Sequence, residues 1–141
     1  MKKIIIPLFA VFLMHSCNSP KSTEPAQSEP SAEEVTEMTF IHTVFFWLNE
    51  GVTDEDRKIF EAGMEKLGTV KTIGKYHIGV PAPSDREVVD DSFDYAWIVH
   101  FPDLEAELSY QSDSLHLQFI EKHQHLWEKV IVYDTNVIEQ K

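Results

Sequence analysis

FIHTVFFWL, residues 40–48, is a run of nine that is apolar except for His42 and Thr43. It is rich in β-branched and aromatic side chains and stops at Asn49-Glu50-Gly51. That length and composition predict a central strand buried on both faces. No water reaches such a strand, so a polar group on it needs a partner. His42 is therefore the first residue that calls for a chemical explanation.

Downstream, Thr53-Asp54-Glu55-Asp56 reads as a helix start, with Thr53 as cap, Asp56 at the capping-box position and carboxylates at the positive end of the dipole. Capping explains the acidic cluster better than metal binding does. Phe60, Gly63, Met64 and Leu67 then recur at helical spacing, with Ile59 at the edge and Gly68 as C-cap. Val70 to Val80 is expected to be a second strand, with Gly74 and Gly79 marking a bend or bulge. Residues 81–91 form a Pro-containing acidic loop. Phe93 to Phe101, FDYAWIVHF, is a third strand. Phe93, Tyr95, Trp97, Val99 and Phe101 share one face; Asp94, Ala96, Ile98 and His100 share the other. A short helix runs from Asp103 to about Tyr110, and Gln111 to Ser114 breaks the pattern. A second helix is expected from Leu115 to about Lys129, with His116, Ile120, His123 and Trp127 along one side. Val130 to Ile138 closes the chain as a fourth strand.

The order β-α-β-β-α-β places the domain in the α+β class, as a ferredoxin-like antiparallel four-stranded sheet with helices on one face. Strands one and three are apolar or aromatic on both faces, yet helices cover only one. A fused second domain covering the other is not expected at this length, and the C-terminal strand folding over it is the remaining alternative. A homodimer through the sheet faces is therefore expected.

The N-terminal region has a different character. Lys2 and Lys3 precede an apolar run of eleven, Ile4 to Met14. That run is too short for a bilayer span of roughly 20 residues but suits the core of a secretory signal. Leu13-Met14-His15-Ser16-Cys17 follows and resembles a bacterial lipoprotein signal, with Ser16 in the small position before the lipidated residue. Residues 1–17 are accordingly expected to be a signal peptide ending at a lipidated Cys17. Residues 18–37, dominated by Ser, Pro, Glu and Gln, cannot offset their ordering entropy by apolar burial, and read as a disordered tether. Residues 38–141 are the domain. This organisation implies a bacterial cell-envelope location, with the domain outside the cytoplasm and a lipid holding it to a membrane. Cys17 is the single cysteine, so an intrachain disulfide is impossible and the core alone must hold the fold. The formal charge of −12 argues against nucleic acid and against a polybasic attachment to lipid.

The domain resembles the stress-responsive dimeric α/β-barrel family, Dabb. The resemblance rests on IHTVFFWL with its histidine, the DEDRKIFEAGMEKL helix and DYAWIVHF followed by Pro-Asp. Tyr110 with His116 and the closing LWEKVIVYD complete it. It spans residues 39–138 and implies a dimeric barrel. One member type, the plant polyketide cyclases that make olivetolic acid, pairs a tyrosine and a histidine as acid and base in a pocket between sheet and helices. On that resemblance Tyr110 and His116 match the catalytic pair, and His42 matches a first-strand histidine near the pocket. Tyr95 stands where the cyclase has a pocket histidine, and Met64 where it has a tyrosine. Asp113-Ser114 replaces the His-Pro that often precedes the catalytic histidine. The pair is retained and the lining is altered, which argues against that polyketide as substrate.

A histidine moves protons near neutral pH and a tyrosine can polarise a carbonyl. Equally, His42 and His116 can bond each other or the backbone and tie the helices to strand one. His77 and His100 read as ordinary strand residues, and Trp47, Trp97 and Trp127 as core. His116 and His123 are two turns apart, which does not suit one metal. No ligand spacing points to haem, so neither metal nor cofactor is expected. The leading expectation is a small, largely apolar ligand held in a pocket by His42, Tyr95, Tyr110 and His116, with Met64 and Trp97 in its lining. The alternatives are an acid-base enzyme of cyclase or lyase type using His116 and Tyr110, and an interaction protein whose pocket is filled.

Overall fold

The computed structural model describes residues 37–138; the expected signal peptide, Cys17 and the expected tether up to residue 36 lie outside them. Four strands form one antiparallel sheet: β1 (Phe40–Leu48), β2 (Lys75–Gly79), β3 (Tyr95–Phe101) and β4 (Trp127–Asn136), in the order β2-β3-β1-β4. Among the described residues the helices are α1 (Asp54–Leu67), α2 (Leu104–Gln111) and α3 (Ser114–His123), with a 3₁₀ turn at Gln124–Leu126. This is the ferredoxin-like arrangement, its second helical element split in two.

β1 alternates buried and half-buried residues along its whole length, so within this chain one face is buried and the other only half-covered, against the expectation of burial on both. Phe40, His42, Val44, Phe46 and Leu48 face the helices. There they meet Phe60, Met64 and Leu67 of α1 and the row Tyr95, Trp97, Val99 and Phe101 of β3. Phe60 and Met64 are fully buried, each contributing about 1.5–3 kcal/mol by leaving water. The opposite face carries Ile41, Thr43, Phe45 and Trp47 beside Ile98, Ile131 and Tyr133. Lys129 sits over the Trp47 ring at 3.8 Å. Trp47 thus belongs to this second face, whereas Trp97 is core and Trp127 packs against the core.

The α1 cap forms as expected: Asp56 N–H donates to Thr53 Oγ1 at 3.2 Å, and Thr53 N–H donates to Asp56 Oδ2 at 3.0 Å. Gly68 is at the C-cap but right-handed, at φ −61°. Its missing side chain matters for another reason, because a Cβ there would lie 2.3 Å from the Tyr76 ring.

Strand boundaries depart from expectation in three places. The expected strand from Val70 begins only at Lys75, because residues 66–73 close turns through Val70 N–H to Leu67 O and Ile73 N–H to Val70 O, each at 3.1 Å. β2 then pairs with β3 in unbroken register, with no bulge at Gly79. β3 begins at Tyr95 rather than Phe93, because the Asp94 carboxylate takes the Leu48 N–H at 2.8 Å and so occupies the next rung of the ladder. The helix expected to reach Lys129 ends at His123, and Trp127 belongs to β4. Asn49 fixes that corner: its N–H donates to Leu126 O at 2.9 Å and its side chain to His125 O at 2.8 Å. The register shift between Trp47 and Leu48 then lets Trp127 oppose Leu48 and stack on Phe119.

Candidate functional site

A cavity of about 310 Å³ lies between the sheet and α3. Its walls are Val44, Phe46, Leu67, Trp97, Phe119, Ile120, Trp127, Val130 and Val132; its polar groups are His42, Tyr110, Gln111 and His116. β4 is an edge strand, and its cavity-facing Val130 and Val132 are 43% and 46% exposed. The cavity is therefore least covered along that edge.

The polar end is built from three elements. β1 presents His42, and the pairing of β1 with β4 sets Asp134 directly opposite it. His42 Nδ1 and Asp134 Oδ1 are 2.6 Å apart. An ionised carboxylate only accepts, so Nδ1 carries the proton and donates. α2 brings Glu107, Tyr110 and Gln111 to one side, since residues three and four apart share a helix face. Glu107 is buried, takes a hydrogen bond from Gln111 Nε2 at 2.6 Å and lies 3.9 Å from His42 Nδ1.

Asp113 caps α3 through the Leu115 N–H, and His116 follows in the first turn. His116 Nδ1 is 3.0 Å from the Gln111 carbonyl oxygen, so Nδ1 donates and Nε2 is the basic nitrogen of the neutral ring. Burial holds the His116 pKa below its ordinary value, an effect partly opposed by that backbone hydrogen bond. The Tyr110 ring lies 4.6 Å from that of His116 and 5.9 Å from that of His42. Tyr110 Oη accepts from Trp97 Nε1 at 3.2 Å. Burial raises its pKa strongly, so the phenol keeps its proton. Among the described hydrogen bonds none uses that proton.

Of the residues anticipated from sequence, His42, Trp97, Tyr110 and His116 meet at this cavity. His42 and His116 do not bond each other; each has its own acceptor. Tyr95 and Met64 are not part of the lining. Met64 is sealed in the core, and Tyr95 donates to Glu61 at 2.6 Å on the α1 side. The loop at residues 81–91 contributes nothing to the lining.

Glu107, Gln111 and Asp134 were not anticipated. Glu107 was legible one turn before Tyr110 on the same helix. Asp134 was not, because its place opposite His42 depends on the β1–β4 register. His123 lies apart, between Phe119 and Phe60, with Nδ1 buried and unpartnered.

The fold is shared by many solved structures, three of which follow. A hydroxynitrile lyase from Passiflora edulis is 17% identical with a TM-score of 0.64, over 74% of this chain and 97% of that one. A Dabb family protein with a ferredoxin-like fold from Mesorhizobium loti is 17% identical at 0.60, over 73% and 100%. A dimeric ferredoxin-like protein of unknown function from Thermobifida fusca is 16% identical at 0.59, over 71% and 92%. No curated protein matches the sequence. The family model for the Stress responsive A/B Barrel Domain matches residues 40–137, the whole of the sheet and its helices. The chain therefore belongs to the Dabb family.

Proposed function

We propose that the domain holds a small, largely apolar molecule in the cavity between sheet and helices, as an envelope-anchored homodimer with a role in stress. One observation carries the binding reading: nine apolar or aromatic walls converge on a polar end made by His42, Tyr110, Gln111 and His116. Ligand sites are typically apolar clefts of about 300–1,000 Å³ with a few placed polar groups, so this one suits a small occupant. The half-covered apolar face of the sheet supports the homodimer, as does the dimeric relative from Thermobifida fusca. The sequence around Cys17 supports the lipid anchor, and the family's description supports the link to stress.

Native mass spectrometry of the full-length protein, purified from its own host, tests the binding reading. A co-purifying small molecule is expected. A clean apo protein that also fails to take up an apolar fluorescent probe would refute it. The anchor predicts that Cys17→Ala moves the protein out of the membrane fraction; retention there would refute it.

A second reading is acid-base catalysis of cyclase or lyase type. It is favoured by the unprotonated Nε2 of His116 beside a phenol whose proton is unspent. There His116 accepts a proton from the substrate while Tyr110 donates a hydrogen bond to its carbonyl oxygen. His116→Gln would abolish turnover and leave the fold intact. Collapse of the thermal transition would instead mark His116 as a packing residue.

A further inference from the structure

The polar end of the cavity has a sign and a hydrogen-bonding pattern, and together they define what can occupy it. No lysine or arginine is among the described lining residues. Two carboxylates stand behind the lining instead: buried Glu107 at 3.9 Å and Asp134 at 2.6 Å from His42 Nδ1. Burial holds the His116 pKa below its ordinary value, and its Nδ1 proton is committed to the Gln111 carbonyl. A proton on His42 is matched by the Asp134 carboxylate beside it. No unpaired positive charge therefore awaits an anion, and a carboxylate head entering here would lose its water without gaining a counter-ion.

The hydrogen-bonding inventory narrows the choice further. Both imidazoles have spent Nδ1, on Asp134 and on the Gln111 carbonyl. Among the described residues, the sealed polar atoms without a partner are Thr72 Oγ1 and His123 Nδ1. Among the described hydrogen bonds neither imidazole's Nε2 has a partner, and both rings belong to the cavity lining. The neutral His116 offers an acceptor there, and Tyr110 offers a donor. A carbonyl compound can use only the donor, and an ammonium only the acceptor. A hydroxyl group has both a proton to give to the one and lone pairs for the other. It also suits His42 in either protonation state, donating to a neutral ring or accepting from a charged one.

We infer that the occupant is an uncharged, hydroxyl-bearing molecule with an apolar body, of the alcohol or phenol class, and that the site discriminates against carboxylates. This rests on the reading of the cavity as a binding site.

The test is a matched series of para-butylphenol, butylbenzene and para-butylbenzoate. Each is titrated into the full-length protein in lipid nanodiscs, with empty nanodiscs as the blank. Calorimetry and the fluorescence of Trp97 and Trp127, both in the lining, report binding. The phenol is expected to bind about tenfold or more tighter than butylbenzene, since the latter leaves buried donors and acceptors unpaired. The benzoate is expected to bind weaker than both, and Glu107→Gln to improve benzoate binding relative to the phenol. Benzoate binding as tightly as the phenol would overturn the argument from charge. Equal affinity of the phenol and butylbenzene would overturn the argument from hydrogen bonding. Binding of none of the three above the blank would refute the underlying cavity reading itself.

Discussion

Gly63 sits in the interior of α1, where glycine costs about 1 kcal/mol relative to alanine. The surroundings account for its presence. A Cβ at Gly63 would lie 2.5 Å from His123 Nε2, 3.0 Å from Cδ2 and 3.1 Å from Cε1. The whole edge of the imidazole is therefore against the helix backbone. The ring cannot easily retreat, because Phe119 and Phe60 lie 5.0 and 6.1 Å away, centroid to centroid. Overpacking of this kind costs about 1–3 kcal/mol. Gly63→Ala should then gain about 1 kcal/mol of helix propensity and lose about 2, a net destabilisation of roughly 1 kcal/mol. In a His123→Ala background the obstacle is gone, and the same change should stabilise by about 1 kcal/mol. The double-mutant cycle should yield a coupling of about 2 kcal/mol. Urea unfolding followed by circular dichroism measures all four proteins. Equal stabilisation by Gly63→Ala in both backgrounds would refute the reasoning, since it would mean that the imidazole yields without cost.

Three further outcomes follow from the same packing. Burial lowers the pKa of His116, His123 and His100, with nearby His and Lys charges adding to the effect at the latter two. Below the ordinary value of 6.5 the unfolded chain therefore binds more protons than the folded one, and stability should fall as pH drops through this range. A Tm that is flat or rising from pH 7 to 5 would contradict this. Tyr110→Phe removes the acceptor of the buried Trp97 N–H and should cost about 1–3 kcal/mol; an unchanged Tm would show that the indole does not depend on that hydroxyl. Ile131→Glu places a charge on the sheet face away from the helices. In a Cys17→Ala background, light scattering should give twice the chain mass without this change and one chain mass with it. A wild-type monomer at micromolar concentration would refute the dimer.

The sequence by itself determined the element order, the ferredoxin-like class and which residues share a face of β3; which faces of β1 and β3 are core was decided by the helices over them. The first three follow from local pattern: the continuous apolar run FIHTVFFWL, the two faces of FDYAWIVHF, helical spacing at Phe60, Met64 and Leu67, and the Thr53–Asp56 cap. His42, Tyr110, Trp97 and His116 were also legible, as polar or aromatic residues on otherwise buried elements and through the family resemblance. Tertiary structure alone decided where segments stop and which residues finish the site. The end of α3 at His123, against a sequence pattern running on to Lys129, was decided by Asn49 bonding the backbone at His125 and Leu126. Likewise, the partner of His42 is Asp134, 92 residues away. Strand register sets that pairing, and register is a property of two segments together: sliding β4 by one residue would turn Asp134 to the other face. Tyr95 and Met64 miss the cavity for a related reason. Their positions on β3 and α1 were readable, but which end of the shared core stays open depends on how α3 settles over the sheet.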